Sequence, residues 1–222
     1  MLVVAHPDDE ILGFGGTGAK IVKQGEIVQP IILCGKVDER SNQVGFDELH
    51  KNMIEANQLL GFNKPVLGDF PNIKMNTVAH IEIVKFIEKQ ILKFQPNRIY
   101  THHPCDLNDD HVQISKACLV ASRLFQRRED IKPLDSIFFM EILSSTDWSF
   151  SHVKEKFEPN SFVDITETLD LKLKALSKYK KVMRPAPHPR SVEVLTGHAL
   201  SRGGQSGYKY AEAFQMVFKR GL

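Results

Sequence analysis

Two short clusters carry most of the chemistry in this sequence. The first is His6-Pro7-Asp8-Asp9-Glu10. A His and an Asp three residues apart converge on one metal ion when the chain turns between them, and Pro7 fixes part of that turn. Asp8 then points elsewhere and is left free for acid/base work. Three acidic groups in a row repel one another, and a bound cation relieves the repulsion. An isolated His-x-x-Asp is better read as a solvated loop whose Asp caps the next helix. The full string, placed at the end of a strand, shifts the balance to a metal site.

The second cluster runs Thr101-His102-His103-Pro104-Cys105-Asp106-Leu107-Asn108-Asp109-Asp110-His111. A catalytic zinc takes three protein ligands and keeps one position for water. His6 and Asp9 supply two, and His111 would supply the third. Its neighbour Asp110 could orient the site through a ligand's outer face. Any one of these histidines alone reads better as a hydrogen-bonded loop residue, but two His/Asp clusters at two strand ends are harder to dismiss.

The elements that must position these groups follow from periodicity. Leu2-Val3-Val4-Ala5 reads as a buried strand. Further strands are expected over 27–34, 65–70, 97–101 and 136–143. Helices are expected over 11–24, 46–60, 78–94, 110–125, 165–179 and 193–202, with a polar loop over 35–43. Strands alternating with helices imply parallel βαβ units, and ligands bind outside the C-terminal ends of such strands. Both clusters directly follow an expected strand. The Pro-rich stretch 184–190 is a loop inside one domain spanning 1–222.

The strings Ala5-His6-Pro7-Asp8-Asp9-Glu10 and His102-His103-Pro104 through Asp106-Leu107-Asn108 to Asp110-His111 resemble the PIG-L / LmbE-like zinc-dependent N-acetyl sugar deacetylases. Pro187-His188-Pro189-Arg190-Ser191 and Tyr210-Ala211-Glu212-Ala213-Phe214 resemble members of that family associated with surface glycans. The resemblance implies a Rossmann-like α/β fold, a three-layer sandwich on a mostly parallel sheet, and a single Zn2+, with Fe2+ as the alternative. It maps the metal ligands onto His6, Asp9 and His111, the general base onto Asp8, and the supporting carboxylate onto Asp110. Some members carry a further His where this chain has Asn108, so that role passes to His103, His188 or an amide donor. Cys105 stands where a small residue is expected, and a thiolate there could compete for the metal.

A competing motif is Gly13-Phe14-Gly15-Gly16-Thr17-Gly18, with Asp38 at the spacing of a dinucleotide-binding strand-helix unit. It would make the protein a nucleotide-dependent oxidoreductase. The first cluster intervenes between strand and glycines, however, so close helix packing is the better reading. Arg190 and His188 are candidates for contacting substrate, as are Asn108 and Glu141. Trp148 with Phe150 reads as core more readily than as a sugar-stacking wall. His50, His80, His152 and His198 read as structural or surface residues.

Composition bounds the rest. Of 222 residues, 42% are hydrophobic and the formal net charge is +2, which allows a full core and gives no nucleic-acid footprint. Three cysteines without paired spacing fit a reducing compartment. No apolar run spans a bilayer and no signal peptide is evident, so a cytoplasmic protein without stable membrane insertion is expected. The expected activity is hydrolysis of an N-acetyl sugar. A catalytically silent sugar-binding protein on the same fold is the third reading, and self-association is left open.

Overall fold

The computed structural model describes residues 1–35, 45–150 and 155–221. Asp38, His152 and most of the loop expected over 35–43 lie outside the described residues. Strands β1 (Leu2–Val4), β2 (Pro30–Ile32), β3 (Val66–Leu67), β4 (Arg98–His102), β5 (Ser136–Met140), β6 (Ser161–Asp164) and β7 (Ala211–Lys219) form one sheet. Their order is β3-β2-β1-β4-β5-β7-β6. The first five run parallel to their neighbours, whereas β7 pairs antiparallel with both β5 and β6. The helices are α1 (Asp9–Leu12), α2 (Gly15–Lys23), α3 (Phe46–Leu59), α4 (His80–Phe94), α5 (Asp109–Ser122), α6 (Leu169–Leu176) and α7 (Val192–Ser206).

The apolar run at the N-terminus is continuous because both faces of β1 are covered. Leu2 and Val4 join a core with Phe14, Met53, Ala175 and Leu176, under α2, α3 and α6. Val3 and Ala5 join an opposite core with Ile83, Ile87, Ile114 and Ala117, under α4 and α5. The result is the expected three-layer, mostly parallel α/β sandwich. From β1 the chain winds to β2 and β3 on one side, then crosses to β4 and β5 on the other. The C-terminal ends of β1 and β4 therefore flank the switch point where such sheets bind ligands. Both polar clusters leave the sheet there.

Several expected elements change. The helix expected over 11–24 is two helices broken at Gly13 and Phe14. The strand expected over 27–34 narrows to β2, and the helix expected from Ile165 begins at Leu169. β6 and β7 were not anticipated.

The glycine motif has a packing role. A Cβ at Gly16 would lie 2.8 Å from Ile165, and one at Gly18 would collide with the Phe62 ring. The N-terminus of α2, where a dinucleotide would place its pyrophosphate, already holds an anion. The Glu212 carboxylate accepts from the Gly16 and Thr17 N–H groups at 2.9 and 2.7 Å. Lys172 Nζ donates to the same carboxylate at 2.7 Å. The packing reading of the glycines is thus favoured, and the dinucleotide reading finds no support here. Gly16→Ala is expected to lower stability by about 1–3 kcal/mol through overpacking, measured by chemical denaturation. Calorimetry with NAD and NADP should show no saturable binding; micromolar affinity for either would restore the dinucleotide reading.

Candidate active site

The turn after β1 brings His6 and Asp9 together by backbone-anchored bonds. The His6 N–H donates to Asp9 Oδ2 at 2.9 Å, and the Asp9 N–H to the His6 carbonyl at 3.3 Å. From the first turn of α5, His111 projects towards the same point. Its Nε2 lies 3.2 Å from Asp9 Oδ2 and 3.3 Å from His6 Nδ1, and His6 Nδ1 lies 3.2 Å from Asp9 Oδ2. The structure thus converges His6, Asp9 and His111.

The outer nitrogens decide what this convergence is for. His6 Nε2 faces Asp110 Oδ2 at 3.0 Å, and His111 Nδ1 faces Asp106 Oδ2 at 3.1 Å. Carboxylates accept, so the His6 ring spends its N–H outward on Asp110, while the His111 ring lies in ion-pair reach of Asp106. Asp110 is itself fixed by the N–H groups of Ile73 at 2.6 Å and Met75 at 3.0 Å. Asp106 is fixed by the Asn108 N–H at 2.9 Å, Thr146 Oγ1 at 2.8 Å and the Ser145 hydroxyl. When both rings are neutral with their protons outward, two inward lone pairs meet a carboxylate oxygen. That donor set fits a divalent cation.

The electrostatics agree. Burial opposes charge on His111, but Asp9 and Asp106 outweigh it and raise its pKa to about 9. Burial likewise opposes a charge on His6, and Asp110 and Asp9 raise it well above its ordinary value. Burial pushes Asp9 up, yet His111 and His6 hold it well below the usual carboxylate range. The folded chain attracts positive charge at this point.

A second trio, His6, Cys34 and Asp110, also clusters. Its groups satisfy one another, because His6 Nε2 and the Cys34 thiol at 3.8 Å both donate to Asp110 Oδ2. This trio is therefore a hydrogen-bonded cluster in which Asp110 already has its donors. The thiol beside the site is therefore Cys34. Cys105 is half-buried, and its carbonyl accepts from Ser149 Oγ at 2.8 Å.

Asp8 lies close enough to the trio to feel its charges but is bonded elsewhere. Its φ is 121°, a left-handed conformation that costs a non-glycine residue about 1–3 kcal/mol. Although it precedes α1, its side chain makes no capping bond. Instead its Oδ2 accepts from Arg190 Nη1 at 2.9 Å, and Arg190 Nε donates to Ser144 Oγ at 2.8 Å. Burial raises the Asp8 pKa to about 6, Arg190 opposes the rise and Asp9 adds to it.

The remaining expected site residues fall in other places. His103 Nδ1 accepts from the Cys105 N–H at 3.2 Å, and its ring meets Phe139 and Phe157 edge-on. It is engaged there and not by Asp8 or the trio. Burial lowers its pKa, so it is neutral. Asn108 caps α5, its Oδ1 accepting from the Asp110 N–H at 3.0 Å. Glu141 is bound by Arg202 Nη2 at 2.7 Å and lies 2.8 Å from His198 Nε2, so His198 is not a bystander. His188 Nδ1 accepts from the Arg190 N–H at 3.0 Å, and Trp148 meets the His188 ring edge-on. Trp148 and Phe150 are 37% and 69% exposed, so they are surface residues and not core.

Two contributors were not assigned from sequence. Asp106 orients His111, a pairing no spacing rule signals. His102 stacks on the His111 ring with centroids 3.8 Å apart, and its Nε2 accepts from the Ala5 N–H at 2.8 Å. Burial, then the neighbouring His111, lowers its pKa to about 3. It is a neutral strut that ties β4 to β1.

Comparison with known proteins places the arrangement. The family described as PIG-L: GlcNAc-PI de-N-acetylase matches residues 1–122, which include both clusters. A diacetylchitobiose deacetylase from Thermococcus kodakarensis is 25% identical over 228 residues, covering 98% of this chain and 82% of that protein. Among solved structures, the conserved protein TT1542 from Thermus thermophilus matches with a TM-score of 0.80 at 23% identity, over 100% of this chain and 96% of the other. The N,N'-diacetylchitobiose deacetylase from Pyrococcus horikoshii matches with a TM-score of 0.76 at 22% identity, over 97% and 82%.

Proposed function

The chain belongs to the PIG-L, GlcNAc-PI de-N-acetylase, family, and on that premise we propose that it is a zinc-dependent hydrolase removing the acetyl group from an N-acetylated sugar or glycoconjugate. The observation that carries this reading is the meeting of His6 Nδ1, Asp9 Oδ2 and His111 Nε2 beside an Asp8 that is bonded to Arg190 and not to them. His6, Asp9 and His111 would hold the cation, with Fe2+ as the alternative to Zn2+. Bound there, a divalent ion supplies Lewis acidity to the acetyl carbonyl and lowers the pKa of the attacking water from about 15.7 towards 7.

The chain's own residues supply the rest. Arg190 engages Asp8 Oδ2, so Oδ1 is the oxygen that takes the water proton as the water oxygen bonds to the carbonyl carbon. With a pKa of about 6, the carboxyl is mostly ionised at neutral pH yet basic enough to hold that proton. As the C–N bond breaks, the proton passes to the departing amine, leaving acetate and a free amino sugar. Asp110 and Asp106 hold His6 and His111 in the tautomer that aims their lone pairs inward. His188 and the exposed Trp148, linked to Asp8 through Arg190, form a surface suited to a sugar ring.

The similarity to diacetylchitobiose deacetylases favours an N-acetylglucosamine unit in the substrate. No helix among the described residues is long and apolar enough to cross a membrane. We assign the protein to the cytoplasm, in keeping with three cysteines that form no disulfide. The deciding experiment is acetate release from a panel of N-acetylhexosamines, free, β-linked and nucleotide-linked, by metal-loaded and chelator-treated protein. At least one should be deacetylated in a metal-dependent way. Turnover unaffected by chelation overturns the metal role, and no deacetylation of any N-acetyl sugar overturns the substrate class.

A further inference from the structure

We propose that Glu10, held by Tyr179 and Asn57, is a positioning residue that keeps Asp8 in its left-handed backbone conformation. The inference rests on the reading of Asp8 as the base. The Asp8 carbonyl is used at the start of α1, accepting from the N–H groups of Ile11 and Leu12 at 3.1 and 2.9 Å. The Asp8 N–H, turned by φ of 121°, has neither a helix nor a strand acceptor. Glu10 Oε2 supplies one at 2.9 Å.

The other oxygen, Oε1, anchors the carboxylate. It accepts from Asn57 Nδ2 at 2.9 Å and from the Tyr179 hydroxyl. Asn57 is on α3 and is itself fixed, its Nδ2 also donating to the Met53 carbonyl at 2.8 Å. Tyr179 lies just beyond α6. Glu10, Asn57 and Tyr179 are 0%, 1% and 1% exposed. Two separate elements thus converge on one buried carboxylate, whose other oxygen meets the backbone of Asp8.

The Asp8 side chain is pinned at its other end by Arg190, so backbone and carboxylate are both held. Without the Glu10 acceptor, the Asp8 N–H would be buried and unpaired. The turn would then relax towards negative φ, carrying the carboxylate away from Arg190. His6 and Asp9 have their own partners in Asp110 and His111, so metal binding should survive the change.

The test compares Glu10→Gln, Glu10→Met and Tyr179→Phe for metal content, kcat and KM on an N-acetyl sugar the wild-type protein cleaves. Glu10→Met is nearly isosteric and has no acceptor. Its kcat should fall about 10–100-fold, the scale of a misplaced catalytic group, with metal content and KM unchanged. Glu10→Gln keeps an acceptor for Asp8. Asn57 Nδ2 stays on the Met53 carbonyl and would face the new amide, but the Tyr179 hydroxyl can rotate to accept from it, so turnover should exceed that of Glu10→Met. Wild-type kcat in a folded, metal-loaded Glu10→Met protein overturns the proposal. So does equal loss in the Gln and Met variants, because the acceptor would then not be what matters. If Glu10→Met does not fold, Tyr179→Phe decides: it leaves the carboxylate but loosens it, so kcat should fall at constant metal content, and an unchanged kcat overturns the proposal. Asp8→Asn separates the two readings. Full turnover in that variant removes the base assignment itself, whereas loss there beside wild-type turnover in Glu10→Met removes only the role of Glu10.

Discussion

His111→Ala is expected to lose bound metal and turnover together. The substitution leaves His6 and Asp9, two ligands from one turn, where a catalytic zinc takes three. It also strands the buried Asp106, whose Oδ2 now pairs with His111 Nδ1. Disturbing an outer-shell partner alone typically costs about 10–100-fold in metal affinity, so loss of a direct ligand should exceed that range. Asp106→Asn is the graded control and should fall within it. Proton release gives a readout independent of activity. In the metal-free chain, Asp9 and Asp106 overcome burial to raise His111 to about 9, so its ring carries a proton at neutral pH that a metal must displace. Metal affinity should therefore rise with pH from neutrality towards 9. Calorimetry in buffers of different ionisation enthalpy measures the protons released, and one of them should vanish in His111→Ala. Full metal occupancy and activity in that variant would sink the ligand assignment.

How much of this was legible in the sequence depended on chain distance. His6 and Asp9 share one turn, so their convergence could be read from spacing, and His111 announced itself by following a second strand. The partners that make the site work come from far away. Arg190 reaches Asp8 across 182 residues, and Tyr179 reaches Glu10 across 169. Nothing local marks either pairing. Asp106 looked like one more loop acid because its role depends on Ser145 and Thr146, which only the loop after β5 brings near. The sheet shows the same division. β1 and β5 are buried along their length and stand out as apolar runs. β7 was hidden because buried Glu212 interrupts its apolar pattern, and that interruption exists to occupy the N-terminus of α2. The break at Gly13 and Phe14 was likewise masked by the helical spacing on either side. The glycines alone could not distinguish a phosphate cradle from close packing. Glu212, contributed from the other end of the chain, makes that distinction.

Asp8→Asn should keep its metal and lose turnover, separating Asp8 from its neighbour Asp9. The amide is nearly isosteric, and its oxygen can still accept from Arg190 Nη1, which now lies 2.9 Å from Asp8 Oδ2. Its NH2 group would then face the attacking water and cannot take a proton from it. The ligand trio is not touched, because Asp8 faces Arg190 while Asp9 faces His6 and His111. A general base is worth about 10²–10⁴-fold, or roughly 3–5 kcal/mol of barrier. The loss should appear in kcat, with KM changed far less. Asp9→Ala, by contrast, should lose metal and activity together. The pH profile supplies the sign. Burial raises the Asp8 carboxyl to about 6, and protonation removes its ability to accept, so wild-type kcat should fall as pH drops through that region. A bound cation favours the charged form and moves this acid limb lower, never higher. Asp8→Asn should lack the limb, because an amide does not titrate there. Metal content and steady-state kinetics on both variants check the division of labour. Turnover of Asp8→Asn within about threefold of wild type, well short of the loss typical for a missing base, would assign the base elsewhere. Loss of metal from Asp8→Asn would instead make Asp8 a ligand.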